Sequence, residues 1–163
     1  MRFSKSVFSN ASQRKVSSEK TTYYRIVRKT DKEVLAMSQE NTVIVTSADK
    51  IQKKTVQAGT GTSMQVLIGP DIAPNFVMRR LIMEPGGGMP NHTNTVEHEQ
   101  FILKGRARIG IGKEIHYVKS GDVVFIPKGI PHWYKAEGNE PFEFICVVPN
   151  EPDHIKVLEK NTG

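Results

Sequence analysis

"PNHTNTVEHEQFILKG", residues 90–105, places two histidines, two glutamates and an asparagine within the stretch from His92 to Phe101 and then runs into an apolar segment. In an extended chain successive side chains point to opposite faces. His98, Gln100 and Ile102 therefore share one face, and Glu99, Phe101 and Leu103 the other. Imidazole nitrogen binds Mn, Fe, Ni, Cu and Zn, so the stretch raises the question whether His92 and His98, or Glu99 in place of His98, are ligands of one divalent ion.

Outward from this stretch the pattern is β. Short apolar runs recur from Val43 onward: "VIV" (43–45), "MQVLI" (64–68), "FVMRRLIM" (76–83), "QFILKGRARIGI" (100–111), "IHYV" (115–118), "VVFIP" (123–127) and "FEFICVV" (142–148). Between them lie turn formers, in "GPDIAPN", "EPGGGMPN", "KSGD", "PKGIP" and "AEGNEP". The one stretch with helical period is "DHIKVLEK" (153–160). Many short strands joined by tight turns imply an all-β sandwich or barrel.

The chain has 163 residues, one domain by size, and its 37% apolar and 25% charged residues are ordinary for a globular protein. No apolar run approaches the roughly 20 residues of a membrane-spanning helix. Cys146 is the single cysteine, so no internal disulfide forms and a reducing, cytoplasmic setting is expected. The net charge of +6 is local: residues 1–36 carry nine Lys/Arg against three Asp/Glu, and residues 37–163 carry fourteen of each. A basic, Ser-rich arm on a neutral domain is weak support for nucleic-acid binding, which needs a basic folded face. Residues 1–42 are read as a flexible extension, with "YYRIV" (23–27) as a short strand. Met37 is an alternative start, or else the arm is a transit peptide to an organelle. Residues 43–150 are assigned to the barrel and 151–163 to a polar tail.

A second block follows the first. Gly86, His92, Asn94, His98 and Gly105 are succeeded, after fifteen intervening residues, by Gly121, Pro127, Gly129 and His132. Together the two blocks resemble the paired motifs of the cupin superfamily. "EPGG", "EHEQFILKG" and "EFICVVP" are similar to its small single-domain bacterial and archaeal members, in which four histidines hold a divalent metal. That resemblance implies a double-stranded β-helix, or jelly roll, usually a homodimer, with a metal (Mn or Fe favoured) inside the barrel. It implies His92, His98 and His132 as ligands, with His98 chosen over Glu99.

Asn94 departs from the family's His-x-His. Its amide oxygen is a weaker ligand, so it either binds through that oxygen or orients a metal-bound water. A further reading is a decayed site that only binds ligands. The resemblance also implies that Arg79, Phe144 and Cys146 line the pocket, with Met89 and Tyr134 near its mouth. An inward Arg79 must meet a substrate carboxylate or a buried acid, because an unpaired buried charge is costly. Glu97 or Gln100 is read as a proton relay, with alternation favouring Gln100. His116 and His154 are read as solvent-side residues, and Cys146 as an inert thiol. The expected function is a metal-dependent enzyme, oxygenase-type, on a small carboxylated or aromatic substrate. The alternatives are a metal-assisted isomerase, lyase or decarboxylase, or a non-catalytic metabolite- or sugar-binding module.

Overall fold

The computed structural model describes residues 43–158. Its strands are β1 (Lys54–Thr55), β2 (Thr60–Ile68), β3 (Phe76–Thr93), β4 (His98–Lys104), β5 (Arg106–Ile111), β6 (Glu114–Lys119), β7 (Val123–Ile126), β8 (His132–Glu137), β9 (Phe142–Pro149) and β10 (Lys156–Val157). Every pairing is antiparallel, and the ladder runs β6-β5-β8-β3-β9-β4-β7, with β2 and β10 also on β3 and β1 on β2. The curled all-β sheet is a jelly roll. By internal contacts the chain divides into Met1–Ile44, of which only Val43 and Ile44 are described, and Val45–Gly163. The basic arm, "YYRIV" and Met37 lie outside the described residues. No helix among the described residues is long and apolar enough to cross a membrane.

The backbone of the site is set by β3. Its first half pairs with β9 from Phe76 to Met83 and with β2, and its second half pairs with β8 at Gly88, Met89 and His92. The strand changes partners at the glycines. Gly86 has φ +74°, which lets the chain turn without the clash that a Cβ would bring. At Gly88 a Cβ would collide with the carbonyl oxygen of Tyr134, so glycine here permits close approach of β8. "EPGGGMPN", expected as a turn, is therefore part of a bent strand.

Alternation decides what goes inside. On β4 His98, Gln100 and Ile102 are buried while Glu99, Phe101 and Leu103 are exposed. On β9 Phe142, Phe144, Cys146 and Val148 are buried, and on β8 His132, Tyr134 and Ala136. Gln100 lies opposite Cys146, Ile102 opposite Phe144, and Ile109 opposite Tyr134. The interior thus grades along β4 from polar at His98 to apolar at Ile102. Phe142 and Phe144, fully buried with ring centres 5.3 Å apart, anchor the apolar end. Burial of each stabilises the fold by about 1.5–3 kcal/mol.

Three expectations are corrected. "VIV" (43–45) forms no strand, and Val43 and Val45 are almost wholly exposed, because no strand among the described residues pairs with them. The described part of "DHIKVLEK", residues 153–158, is not helical: β10 pairs Lys156 with Thr93 and Val157 with His92, so sheet hydrogen bonds override the local period. Strand β8 was not among the apolar runs, since its buried positions are a histidine, a tyrosine and an alanine.

Candidate metal centre

Three strand ends bring the imidazoles together. His92 closes β3, His98 opens β4 and His132 opens β8, and all three are buried. His92 and His132 are register partners across the β3–β8 pair. Ring centres are 4.2 Å apart for His92 and His132 and 5.3 Å apart for His98 and His132.

The local chain fixes the tautomers of two of them. Nδ1 of His92 lies 2.7 Å from the carbonyl oxygen of Pro90, and Nδ1 of His132 lies 2.8 Å from that of Ile130. A carbonyl only accepts, so each Nδ1 carries the proton and donates it, leaving the Nε2 lone pair free. This is the arrangement in which a metal-ligating histidine is held by its other nitrogen. Nε2 of His98 and Nε2 of His132 are buried with no hydrogen-bond partner. A buried polar atom left unpaired costs about 1–3 kcal/mol, so two in one place call for a ligand.

Electrostatics keeps the rings neutral. Burial pushes His98 down to about 3, aided by the nearby Arg79 cation, and pushes His132 down to about 4. Burial also lowers His92, against the opposing hydrogen bond that it donates to the Pro90 carbonyl. Neutral imidazole is the metal-binding form. As placed, no three His, Cys, Asp or Glu side chains among the described residues are closed around one point. Side-chain rotation would be needed to turn the three rings onto one point. The donor set of three neutral imidazoles fits a mid-series divalent metal.

The depressed values also set a pH dependence for the metal-free protein. Unfolded histidines take up protons near pH 6.5, whereas the folded rings stay neutral down to about 4 and about 3. Between those limits the unfolded state binds more protons, so stability is full above pH 6.5 and falls as the pH falls. Chelator-treated protein should therefore have a lower urea midpoint at about pH 4.5 than at about pH 7, with a smaller drop in His132→Ala. Equal midpoints at the two pH values would mean that these rings titrate normally.

Arg79 enters the same cavity and meets a half-buried acid. Its Nη1 donates to Oδ2 of Asp153 at 3.3 Å, and its Nη2 lies 3.8 Å from Sγ of Cys146. Asn94, 3% exposed, donates from Nδ2 to Oδ1 and Oδ2 of Asp153 at 2.8 and 3.0 Å, and its own Oδ1 is buried without a partner. Gln100 donates from Nε2 to the hydroxyl oxygen of Tyr134 at 2.6 Å. Burial pushes Tyr134 well above the usual phenol range, so it stays protonated. Burial likewise raises the Cys146 thiol, which makes it a poor nucleophile.

The cavity between these groups holds about 100 Å³ and is lined by the three histidines, Arg79, Gln100 and Tyr134 over apolar Met89, Leu81, Phe144 and Met64. Met89 and Tyr134, expected near the mouth, are 6% and 5% exposed and belong to the interior, because β8 and the bent half of β3 lie side by side there. Glu97 and Glu99 face outward, so Glu97 does not reach the cavity as a relay. A larger open hollow of about 650 Å³ lies beside β6 and β7, near Tyr117 and Phe125. His116 borders it but is solvent-exposed and 3.6 Å from Glu114, so no buried ligand set forms there. His154 is also exposed.

Asp153 is the site residue that the sequence did not reveal. It follows the last long strand and carries no motif spacing, and the pairing of β10 with β3 helps to bring its segment onto the barrel.

Residues 79–148 match the cupin domain family. An uncharacterized protein of Methanocaldococcus jannaschii is 29% identical over 122 residues, covering 72% of this chain and 96% of that one. The 1-methylthio-D-xylulose 5-phosphate methylsulfurylase of Rhodospirillum rubrum is 32% identical over 76 residues, 47% of this chain and 49% of that enzyme, so the match spans about half the enzyme's length. Among solved structures, the polyketide cyclase RemF from Streptomyces resistomycificus superposes with a TM-score of 0.65 at 25% identity, covering 74% of this chain and 89% of that one.

Proposed function

We propose, from the premise that this chain belongs to the cupin superfamily, that it is a metal-dependent enzyme of the oxygenase type acting on a small carboxylated substrate. One observation carries the reading. Three neutral imidazoles, two with buried and unpaired Nε2 atoms, share a cavity with the Arg79 guanidinium. His92, His98 and His132 would hold the ion. Three neutral ligands leave its charge unneutralised, and when bound it supplies an anchor for an anionic substrate and for dioxygen.

The protein's own groups do the rest. Arg79 orients the anionic end of the substrate. The phenol of Tyr134 accepts from Gln100, so its own proton is free to be donated to a substrate oxygen. Apolar Leu81, Met89 and Phe144 exclude water. The cavity holds about 100 Å³, so the substrate is small.

The named relatives are a methylsulfurylase and a cyclase, so fold alone does not choose the reaction.

The test is oxygen consumption by the metal-loaded protein over a panel of small acids, aromatic acids among them. The expected result is uptake with at least one acid that is lost on adding chelator and weakened in Arg79→Gln through KM. Turnover of an acid without oxygen would transfer the assignment to non-oxidative chemistry. Tight ligand binding with no turnover would favour a binding module.

A further inference from the structure

We propose that Asp153 is the positioning residue of this centre: it fixes the Asn94 amide with its oxygen reserved for a metal or a metal-bound water, and it balances the Arg79 charge beside the imidazoles. The proposal rests on the three-histidine reading above.

Chemistry fixes the orientation of the amide. A carboxylate has no proton to give, so the group of Asn94 that faces Asp153 at 2.8 and 3.0 Å must be its nitrogen. The oxygen is turned away, into space that water does not reach, and no protein donor meets it. Left alone, such an atom is a defect; facing a cation or its water, it is a ligand or an acceptor. Without Asp153 the amide has no reason to prefer this orientation over its flip.

Asp153 is itself held from both sides. The hydroxyl of Thr95 donates to the carbonyl of Pro152 at 2.8 Å and accepts from the backbone N–H of His154 at 2.9 Å. Beyond them the N–H of Leu158 donates to the carbonyl of Asn91 at 2.8 Å. The carboxylate therefore sits on a pinned segment, tied to the same turn that carries Asn94. Its other partner, Arg79, is a cation whose charge acts on His98 and would repel a dication if unbalanced. A single acid thus connects the residue that departs from the family pattern, Asn94, with the residue expected to bind substrate.

Cobalt(II) titration of the full-length protein, followed by visible absorption, tests this, with thermal unfolding as a check on folding. Asp153→Asn should bind cobalt about 10- to 100-fold more weakly, the range seen when partners of metal ligands are removed. Asn94→Leu should alter the visible band, reporting a lost oxygen donor. Adding Arg79→Gln to Asp153→Asn should restore part of the lost affinity, because the uncompensated cation is gone while the Asn94 amide stays unfixed. Arg79→Gln alone should bind cobalt more tightly than wild type, and it carries the test if Asp153→Asn does not fold. Wild-type affinity in Asp153→Asn would overturn the proposal, as would a weakening that Arg79→Gln leaves unchanged, which would mark Asp153 as a tether only. If the wild type takes up no cobalt, the three-histidine reading fails together with the proposal; if it does and only the variants disagree, the proposal fails alone.

Discussion

His98→Ala is expected to leave the purified protein nearly free of metal, while Glu99→Gln keeps the wild-type content. The two residues are neighbours in sequence and opposites in space. His98 is 7% exposed with an unpaired Nε2, and Glu99 faces solvent from the other side of β4. Binding free energies of roughly 10–16 kcal/mol for four-ligand zinc sites imply about 3–4 kcal/mol per ligand, or roughly a 10²- to 10³-fold loss of affinity for each imidazole removed. His92→Ala and His132→Ala should match His98→Ala. Elemental analysis of the five proteins, purified alike, makes the comparison. Metal lost from Glu99→Gln and retained by His98→Ala would show that β4 presents its other face to the ion.

The second large effect is structural. Gly88→Ala should destabilise the protein by at least about 3 kcal/mol, a drop in thermal midpoint of roughly 10 °C or more, or prevent soluble expression. The added Cβ meets backbone, the carbonyl oxygen of Tyr134, which cannot rotate away. Because Gly88 pairs with Lys135 on the same β3–β8 ladder that, beyond a register shift, brings His92 opposite His132, whatever protein survives should also bind metal weakly. Gly86→Ala is the contrast. Its Cβ would find open space, and only the φ of +74° penalises it, about 1–2 kcal/mol. Equal behaviour of the two variants would contradict the close approach of β3 and β8.

Much of this architecture is legible in the residues, for a physical reason. Strand alternation has a period of two, so His98, Gln100 and Ile102 are on one face as soon as β4 is recognised as a strand, and Phe142, Phe144 and Cys146 likewise on β9. The glycines are different. Three in a row read as a loop, because sequence shows their conformational freedom but not the neighbouring backbone that makes one of them indispensable. Strand β8 escaped notice because it buries His132, Tyr134 and Ala136, which form no apolar run. Asp153 was illegible for a further reason: its meaning depends on Arg79, 74 residues away, and on Asn94, 59 residues away. No local pattern encodes a partner at that distance, and the helical period of the tail pointed elsewhere. The inward placement of Arg79 was foreseeable from β3, and so was its need for an acid, but which acid was not.

X-ray absorption at the metal edge of the purified protein measures the central claim most directly, since it counts and identifies the atoms bound to the ion. The account predicts one divalent transition metal per chain, three imidazole nitrogens at about 2.0–2.2 Å, oxygen donors in the remaining positions and no sulfur. A sulfur scatterer near about 2.3 Å would place Cys146 in the shell, and fewer than two imidazoles would contradict the three-histidine centre outright.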